Sequence, residues 1–250
     1  MGPWVEAMPR VYIPPERITG EQIALQSREA RYILAALRLG PGDEVTVFDG
    51  AGKEYRTELV EDDNGGMYLA IREESRPERE SSLKITLGQA LLKGERMKFV
   101  IQKATELGAA RIIPLVTSRT IPLVEGERES LRIERWQRIA QEAAKQSARA
   151  IVPHIEAIQE FPDFLAQSAG ARVMLWEGEP APLREVVKKI DAHAGITLLI
   201  GPEGGFSEQE VTAAQAQGFL VAGLGQRILR AETATLSILS IIQHLFGDLG

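Results

Sequence analysis

The chain has 250 residues, of which 44% are hydrophobic and 26% charged, an ordinary balance for a globular protein that buries a core. The length allows one large or two modest domains. No apolar run approaches the roughly 18–20 residues that span a bilayer, and the start MGPWVEAMPR lacks the layout of a secretory signal. Without cysteine there is no disulfide or thiolate metal site, and the three histidines, His154, His193 and His244, lack ligand spacing, so no metal centre is expected.

The net charge of −6 argues weakly against a nucleic-acid partner, but it is unevenly spread. Residues 1–80 carry 10 Lys+Arg against 16 Asp+Glu, whereas residues 81–250 carry 19 of each. That shift coincides with the linker-like run Glu73–Ser82.

Taken in chain order, the first 80 residues are mainly β. A helix is predicted at Ser27–Leu39, closed by Gly40-Pro41-Gly42. Alternating runs at Glu44–Phe48, Glu54–Val60 and Met67–Arg72 are joined by Asp49-Gly50 and Asn64-Gly65-Gly66, which are hairpin signals. A small β-barrel with one helix fits this pattern, and such barrels often bind RNA.

From Leu83 the pattern becomes alternating strand and helix. Strands are predicted at Lys84–Ala90, Arg111–Val116, Arg172–Trp176, Thr197–Ile200 and Phe219–Ala222. Helices are predicted at Glu95–Leu107, Leu131–Ala148, Pro182–Asp191, Ser207–Gln217 and Glu232–Phe246. This order implies a mostly parallel sheet covered by helices. The last helix is apolar on nearly every side, which requires burial on several sides, in the core of one chain or in a dimer interface.

Two loops carry the chemistry. The first, Gly201-Pro202-Glu203-Gly204-Gly205-Phe206-Ser207, follows an apolar strand, and Ser207 with Glu210 has capping-box spacing. A strand that drops into a glycine-rich loop before a helix is the usual α/β site for a nucleotide-like ligand. Neither G-x-x-x-x-G-K-[ST] nor a strand-linked G-x-G-x-x-G occurs, so the loop is not a known phosphate cradle, and a nicotinamide oxidoreductase is disfavoured. A tight turn made by glycine and proline explains it equally well when taken alone. The second loop, Leu224-Gly225-Gln226-Arg227-Ile228-Leu229-Arg230-Ala231-Glu232-Thr233-Ala234, also joins a strand to a helix. Two such loops at one sheet edge can wall a single cleft.

GPEGGFS and LGQRILRAETA together resemble the RsmE family, the 16S rRNA uracil-N3-methyltransferases of the SPOUT superfamily. The segments Lys103–Ala109, Arg135–Ala140, Glu142–Arg149 and Val152-Pro153 also match, as do Pro9–Tyr12 and Leu37–Asp43 near the start. Met1–Ala7 departs from the pattern as a leader, with Met8 an alternative start.

The resemblance implies a PUA-like β-barrel over residues 1–74, a linker over 75–82, and a SPOUT-type trefoil-knotted α/β methyltransferase domain over 83–250. It implies S-adenosyl-L-methionine as cofactor and S-adenosyl-L-homocysteine as product. It further implies 16S rRNA or the small ribosomal subunit as partner, a homodimer, no membrane, and a cytoplasmic location. A noncatalytic RNA-binding or ribosome-assembly factor that retains the fold is the alternative.

This cofactor is a sulfonium cation without phosphate, so its loops need close backbone and apolar contact rather than a lysine-bearing anion cradle. The candidate cofactor residues are Leu199, Ile200, Gly201, Glu203, Gly204 and Gly205 on the first loop, with Leu224, Gly225, Ile228, Leu229 and Arg230 on the second. Leu175, Trp176 and Glu177, ending an earlier strand, are candidates for a third wall. Core packing explains each of these leucines and isoleucines equally well outside the motif.

Methyl transfer to uracil N3 requires loss of the imide proton, and the charge then spreads over two carbonyl oxygens. Cationic side chains stabilise that charge, and a base accepts the proton. Arg230 is the first candidate for the electrostatic role and Arg119 the second, the latter reaching uracil or phosphate; Glu203 and Glu232 are candidate bases. Both glutamates also suit helix starts for ordinary dipole reasons.

For RNA, Arg128, Arg132, Arg135, Arg138, Lys145 and Arg149 fall within an arc of roughly 140° if the helix is continuous from Arg128. Glu142 and Gln146 share that arc, and Ile133, Trp136, Ala140, Ala143 and Ala144 lie opposite. Arg10, Arg38 and Arg119 complete the candidate RNA contacts. A solvated basic face is the alternative, and Trp136 suits the core better than base stacking.

Overall fold

The computed structural model describes residues 8–120 and 129–250. The chain divides into two compact units, one comprising residues 1–80 with 144–152, the other residues 81–143 with 153–250. The leader Met1–Ala7 and Arg128 lie outside the described residues.

The first unit opens with β1 (Arg10–Tyr12), β2 (Gln22–Ala24) and the short helix α1 (Ser27–Arg31), which continues as a π-helical turn over Tyr32–Ala36. The long hairpin follows as β3 (Glu44–Phe48), β4 (Glu54–Glu61) and β5 (Met67–Ser75). These strands form one sheet in the order β1-β3-β4-β5-β2, with β1 parallel to β3 and the other pairs antiparallel. The Asn-Gly-Gly turn forms as predicted. Gly65 takes φ 78°, and Asp62 Oδ1 accepts bonds from the Asn64 and Gly66 backbone nitrogens at 2.9 and 2.8 Å. Alternate residues point inward, so Val45, Val47, Leu59 and Leu69 meet Val11, Ile13, Ile23 and Ile33 in a single core.

The second unit holds β6 (Ile85–Ala90), α2 (Arg96–Glu106) and β7 (Ala109–Val116), followed by α3 (Glu129–Gln146), which ends in the first unit's segment. After β8 (His154–Ile155) and β9 (Gln159–Glu160) come α4 (Phe161–Gln167), β10 (Ala171–Leu175), β11 (Ala181–Pro182) and α5 (Leu183–Val186). The chain closes with β12 (Ile196–Ile200), α6 (Glu208–Ala216), β13 (Leu220–Gly223) and α7 (Ala231–Phe246). The sheet runs β11-β13-β10-β12-β6-β7-β8, with β9 also on β7, and every pairing is parallel.

A parallel sheet covered on both faces needs strands apolar on both sides. β12 satisfies this, with all five residues buried. On α2, Met97, Val100, Ile101, Ala104 and Thr105 are buried, a stripe at helical spacing. Gly88 on β6 lies against the Phe164 ring, where a Cβ would collide with it. α7 is only partly enclosed. Ile238, Leu239 and Ile242 are buried, whereas Ile241 is 36% and Leu245 48% exposed.

The predicted helix Pro182–Asp191 shrinks to α5 and a 3-10 turn over Val187–Lys189. α4 was not predicted; its Pro162 occupies an early helical position, where a missing N–H costs nothing.

Candidate functional site

In the order β13-β10-β12, three neighbouring parallel strands end side by side. Their following segments, 224–230, 176–180 and 201–207, therefore lie at one sheet edge. There they enclose a cleft of about 740 Å³, a size suited to a small-molecule cofactor.

Of the candidate cofactor residues, Ile200, Gly201, Glu203 and Gly205 line the cleft from the first loop. Leu224, Gly225, Ile228, Leu229 and Arg230 line it from the second, and Leu175, Trp176 and Glu177 from the third segment. Two candidates fall elsewhere. Leu199 is fully buried in the core cluster with Met174 and Phe206. Gly204 faces Arg119 instead of the cleft. Residues the sequence did not flag also reach the cleft, among them Arg96, Gly178 and Pro180. They come from loops or from a helix start without a recognisable pattern.

The first loop is held from both ends. The predicted capping box forms: Ser207 Oγ accepts from the Glu210 nitrogen, and Glu210 Oε2 accepts from the Ser207 nitrogen at 2.9 Å. Gly205 adopts φ 67°, and a Cβ there would meet the Glu177 carboxylate, so this turn requires glycine. Glu203 Oε1 accepts bonds from the Lys93 backbone nitrogen at 3.1 Å and Arg96 Nη1 at 2.8 Å. Burial works to raise the Glu203 pKa, but its own backbone nitrogen, Lys93 and Arg96 outweigh this and hold it below the usual carboxylate range.

Arg96 also lies 3.9 Å from Glu232. Glu232 Oε2 is buried and lacks a hydrogen-bond partner among the described residues. Arg119 lies outside the cleft wall, and its Nη1 donates to the Gly204 carbonyl at 2.8 Å. Arg230 is the N-cap of α7, extended at φ −63° and ψ 152°, with its side chain exposed at the cleft.

The basic residues separate into two groups. Arg135 and Arg138 are exposed on α3, Arg132 is half-buried, and Trp136 is buried in the core. Arg149 and Arg10 do not lie on a free surface. Ala148 takes φ 59°, ending the helical geometry that the predicted arc assumed, and Arg149 is 7% exposed. Its guanidinium pairs with Glu80 Oε2 at 2.9 Å, and Glu80 Oε1 accepts from the Ala150 and Ile151 nitrogens. Arg10 pairs with Glu54 at 2.6 Å and donates to the Arg149 carbonyl. Lys145 Nζ sits 4.7 Å from the Tyr32 ring centroid. Arg38 is exposed, at φ 59° after the π turn.

No group of metal-ligating side chains occurs among the described residues, nor any helix long and apolar enough to cross a membrane.

A small β unit thus accompanies a parallel sheet whose strand ends enclose a glycine-lined cleft, and known proteins share this arrangement. An RNA methyltransferase PUA domain model matches residues 25–71, and an RNA methyltransferase domain model matches residues 79–243. The ribosomal RNA small subunit methyltransferase E of Synechocystis is 36% identical over 94% of this chain and 77% of its own. That of Bacillus subtilis is 32% identical over 92% and 90%. The Neisseria gonorrhoeae enzyme of that name, solved bound to S-adenosyl methionine, superposes with a TM-score of 0.87 at 33% identity, covering 97% of this chain and 100% of that one. A putative methyltransferase from Legionella pneumophila, in complex with the same cofactor, gives 0.86 at 32% identity, over 97% and 99%. This chain belongs to the ribosomal RNA small subunit methyltransferase E family.

Proposed function

We propose that this protein transfers a methyl group from S-adenosyl-L-methionine to N3 of a uridine in 16S rRNA. The observation that carries this reading is the cleft at the ends of β10, β12 and β13. It combines close backbone from two glycine loops, an apolar wall from Leu224, Ile228 and Leu229, and the Glu177 carboxylate, without a lysine-bearing anion cradle. That donor set fits a cationic, phosphate-free adenosine cofactor. When bound, S-adenosylmethionine supplies an electrophilic methyl on its sulfonium and leaves as the neutral thioether S-adenosylhomocysteine.

The chain's own residues then have separable tasks. Gly201 and Gly205 allow close approach of the ligand, and Glu177 offers a carboxylate to its positive charge. Arg230 offers a cation to the uracil oxygens as the imide loses its proton, beside the positive end of the α7 dipole. Arg119, tied to the Gly204 carbonyl, serves RNA at the loop's outer side.

Of the two candidate bases we propose Glu232, whose Oε2 lacks a hydrogen-bond partner among the described residues. This oxygen is buried and Glu232 is not among the cleft-lining residues, so the role requires it to be uncovered when substrate binds. Glu203, bonded to Lys93 and Arg96 and held ionised, serves as the loop's anchor. Arg132, Arg135 and Arg138 on α3 are proposed phosphate contacts. Arg38 is proposed to contact RNA from the PUA-like unit. The expected bounds of 1–74 with a linker at 75–82 differ from the compact unit, which runs to Glu80 and takes in 144–152, with β5 reaching Ser75.

We also propose a homodimer through the exposed Ile241 and Leu245 on α7, and a trefoil knot in the C-terminal domain as the family implies. A cytoplasmic location is proposed from the rRNA substrate. Isothermal calorimetry with S-adenosylhomocysteine tests the cofactor assignment. Saturable one-to-one binding to the folded protein is expected, and its absence would remove the catalytic reading in favour of a noncatalytic RNA-binding factor.

A further inference from the structure

Behind the cleft lies a polar pair in an otherwise apolar layer. Gln89, the fifth residue of β6, and Thr235, in the second turn of α7, are both 0% exposed. Gln89 Nε2 faces two carbonyl oxygens, Ala90 at 3.1 Å and Gly201 at 3.4 Å. Both are acceptors, so the amide nitrogen must point at them and Oε1 must point at Thr235. The Thr235 hydroxyl therefore donates to Gln89 Oε1, at 2.6 Å. The same hydroxyl oxygen lies 2.9 Å from the carbonyl oxygen of Ala231, the first residue of α7.

The consequence is a connection between the two cleft loops that bypasses the ligand space. Gly201 begins the first loop, and Ala231 follows directly on the second. Gln89 Nε2 donates to the Gly201 carbonyl, and the Thr235 hydroxyl ties Gln89 to α7, the helix that follows the second loop. A leucine and a valine would fill the same volume, and buried polar groups are unfavourable unless fully paired. The pair is therefore best explained by the link it makes from the Gly201 carbonyl to the start of α7.

We propose that Gln89 and Thr235 are positioning residues that set the separation of the 201–207 and 224–230 loops, and through it the affinity for the cofactor. This inference rests on the cofactor reading given above. Neither side chain is among the cleft-lining residues, so their effect passes through the Gly201 carbonyl and the first turns of α7.

The test compares the wild-type protein with Thr235→Val, Thr235→Ser, Gln89→Met and the Thr235→Val/Gln89→Met double variant. Calorimetric Kd for S-adenosylhomocysteine is measured at a temperature where circular dichroism shows each variant folded, alongside KM and kcat for S-adenosylmethionine. Loss of one hydrogen bond predicts a Kd raised roughly three- to tenfold in either single variant. The double variant is expected to bind no more weakly than the weaker single, and Thr235→Ser to bind like wild type. KM for the cofactor should rise while kcat at saturation holds.

If the folded variants bind as tightly as wild type and only their melting temperatures fall, the pair is structural and the proposal is wrong. Additive losses in the double variant would also contradict it. Should Thr235→Val not fold, Gln89→Met alone decides between these outcomes. A wild-type protein that binds no cofactor would instead sink the methyltransferase reading, and this inference with it.

Discussion

Glu210 Oε1 accepts a hydrogen bond from the Ser118 backbone nitrogen at 2.8 Å, across 92 residues of chain. Its second oxygen accepts from the Ser118 hydroxyl at 2.8 Å and from the Ser207 nitrogen at 2.9 Å. One carboxylate thus ties the segment carrying Arg119 to the end of the first cleft loop. Burial acts to raise its pKa, but the bonds from Ser118 and Ser207 prevail and hold it below the usual range. A depressed folded pKa gives stability that is present above the unfolded value, near 4.5, and lost as pH falls through the folded one. Melting temperature is therefore expected to fall on acidification below that value, and to fall less steeply in Glu210→Gln. At neutral pH that variant should lose about 1–3 kcal/mol by urea unfolding.

Gly205 combines a left-handed backbone with a Cβ position occupied by Glu177. Gly205→Ala should cost about 1–2 kcal/mol in stability. It should weaken S-adenosylhomocysteine binding more than that strain alone explains, because Glu177 is displaced from the cleft. Calorimetry beside thermal melting separates the two effects, and Gly205→Ala/Glu177→Ala should relieve the collision while keeping the left-handed strain, and should not recover affinity.

Glu203 and Glu232 should part company under amide substitution. Glu232→Gln is expected to slow single-turnover methyl transfer by at least about 100-fold, the usual scale for a lost general base, with cofactor affinity little changed. Glu203→Gln should act mainly on cofactor affinity, through a loosened loop. Equal single-turnover rates in Glu232→Gln and wild type would remove the proton-acceptor role.

Arg149 and Arg135, placed on one basic arc by sequence, should behave differently. Arg149→Met leaves the half-buried Glu80 carboxylate without its guanidinium partner, though still bonded by the Ala150 and Ile151 nitrogens, and should cost about 1–3 kcal/mol by urea unfolding. Arg135→Ala and Arg138→Ala should leave stability nearly intact. Each should lower the slope of log affinity for rRNA against log salt by roughly 0.7–0.9.

What could be read from the sequence was local. The Ser207–Glu210 box, the Asn64-Gly65-Gly66 turn and the five long strands of the second unit each depend on neighbouring residues, and each is found in the structure. The cleft was legible because its three walls follow three of those strands. What escaped depends on distant partners. Nothing near Arg149 announces Glu80, and no glycine marks Ala148 as the residue that turns the chain off the helix. Gln89 and Thr235 each look ordinary until β6 and α7 are placed side by side. Leu199, next to the first loop in sequence, is packed in the core cluster, which its neighbours in the chain do not reveal.

The central claim is methyl transfer to N3 of a small-subunit rRNA uridine. Its most direct test is incubation of the purified protein with methyl-labelled S-adenosylmethionine and small subunits from a strain lacking this gene, followed by nucleoside analysis. The account predicts label in N3-methyluridine at one site, lost when S-adenosylmethionine is omitted. Label in another nucleoside would overturn the substrate assignment, and no label from a protein that binds the cofactor would contradict the catalytic claim itself.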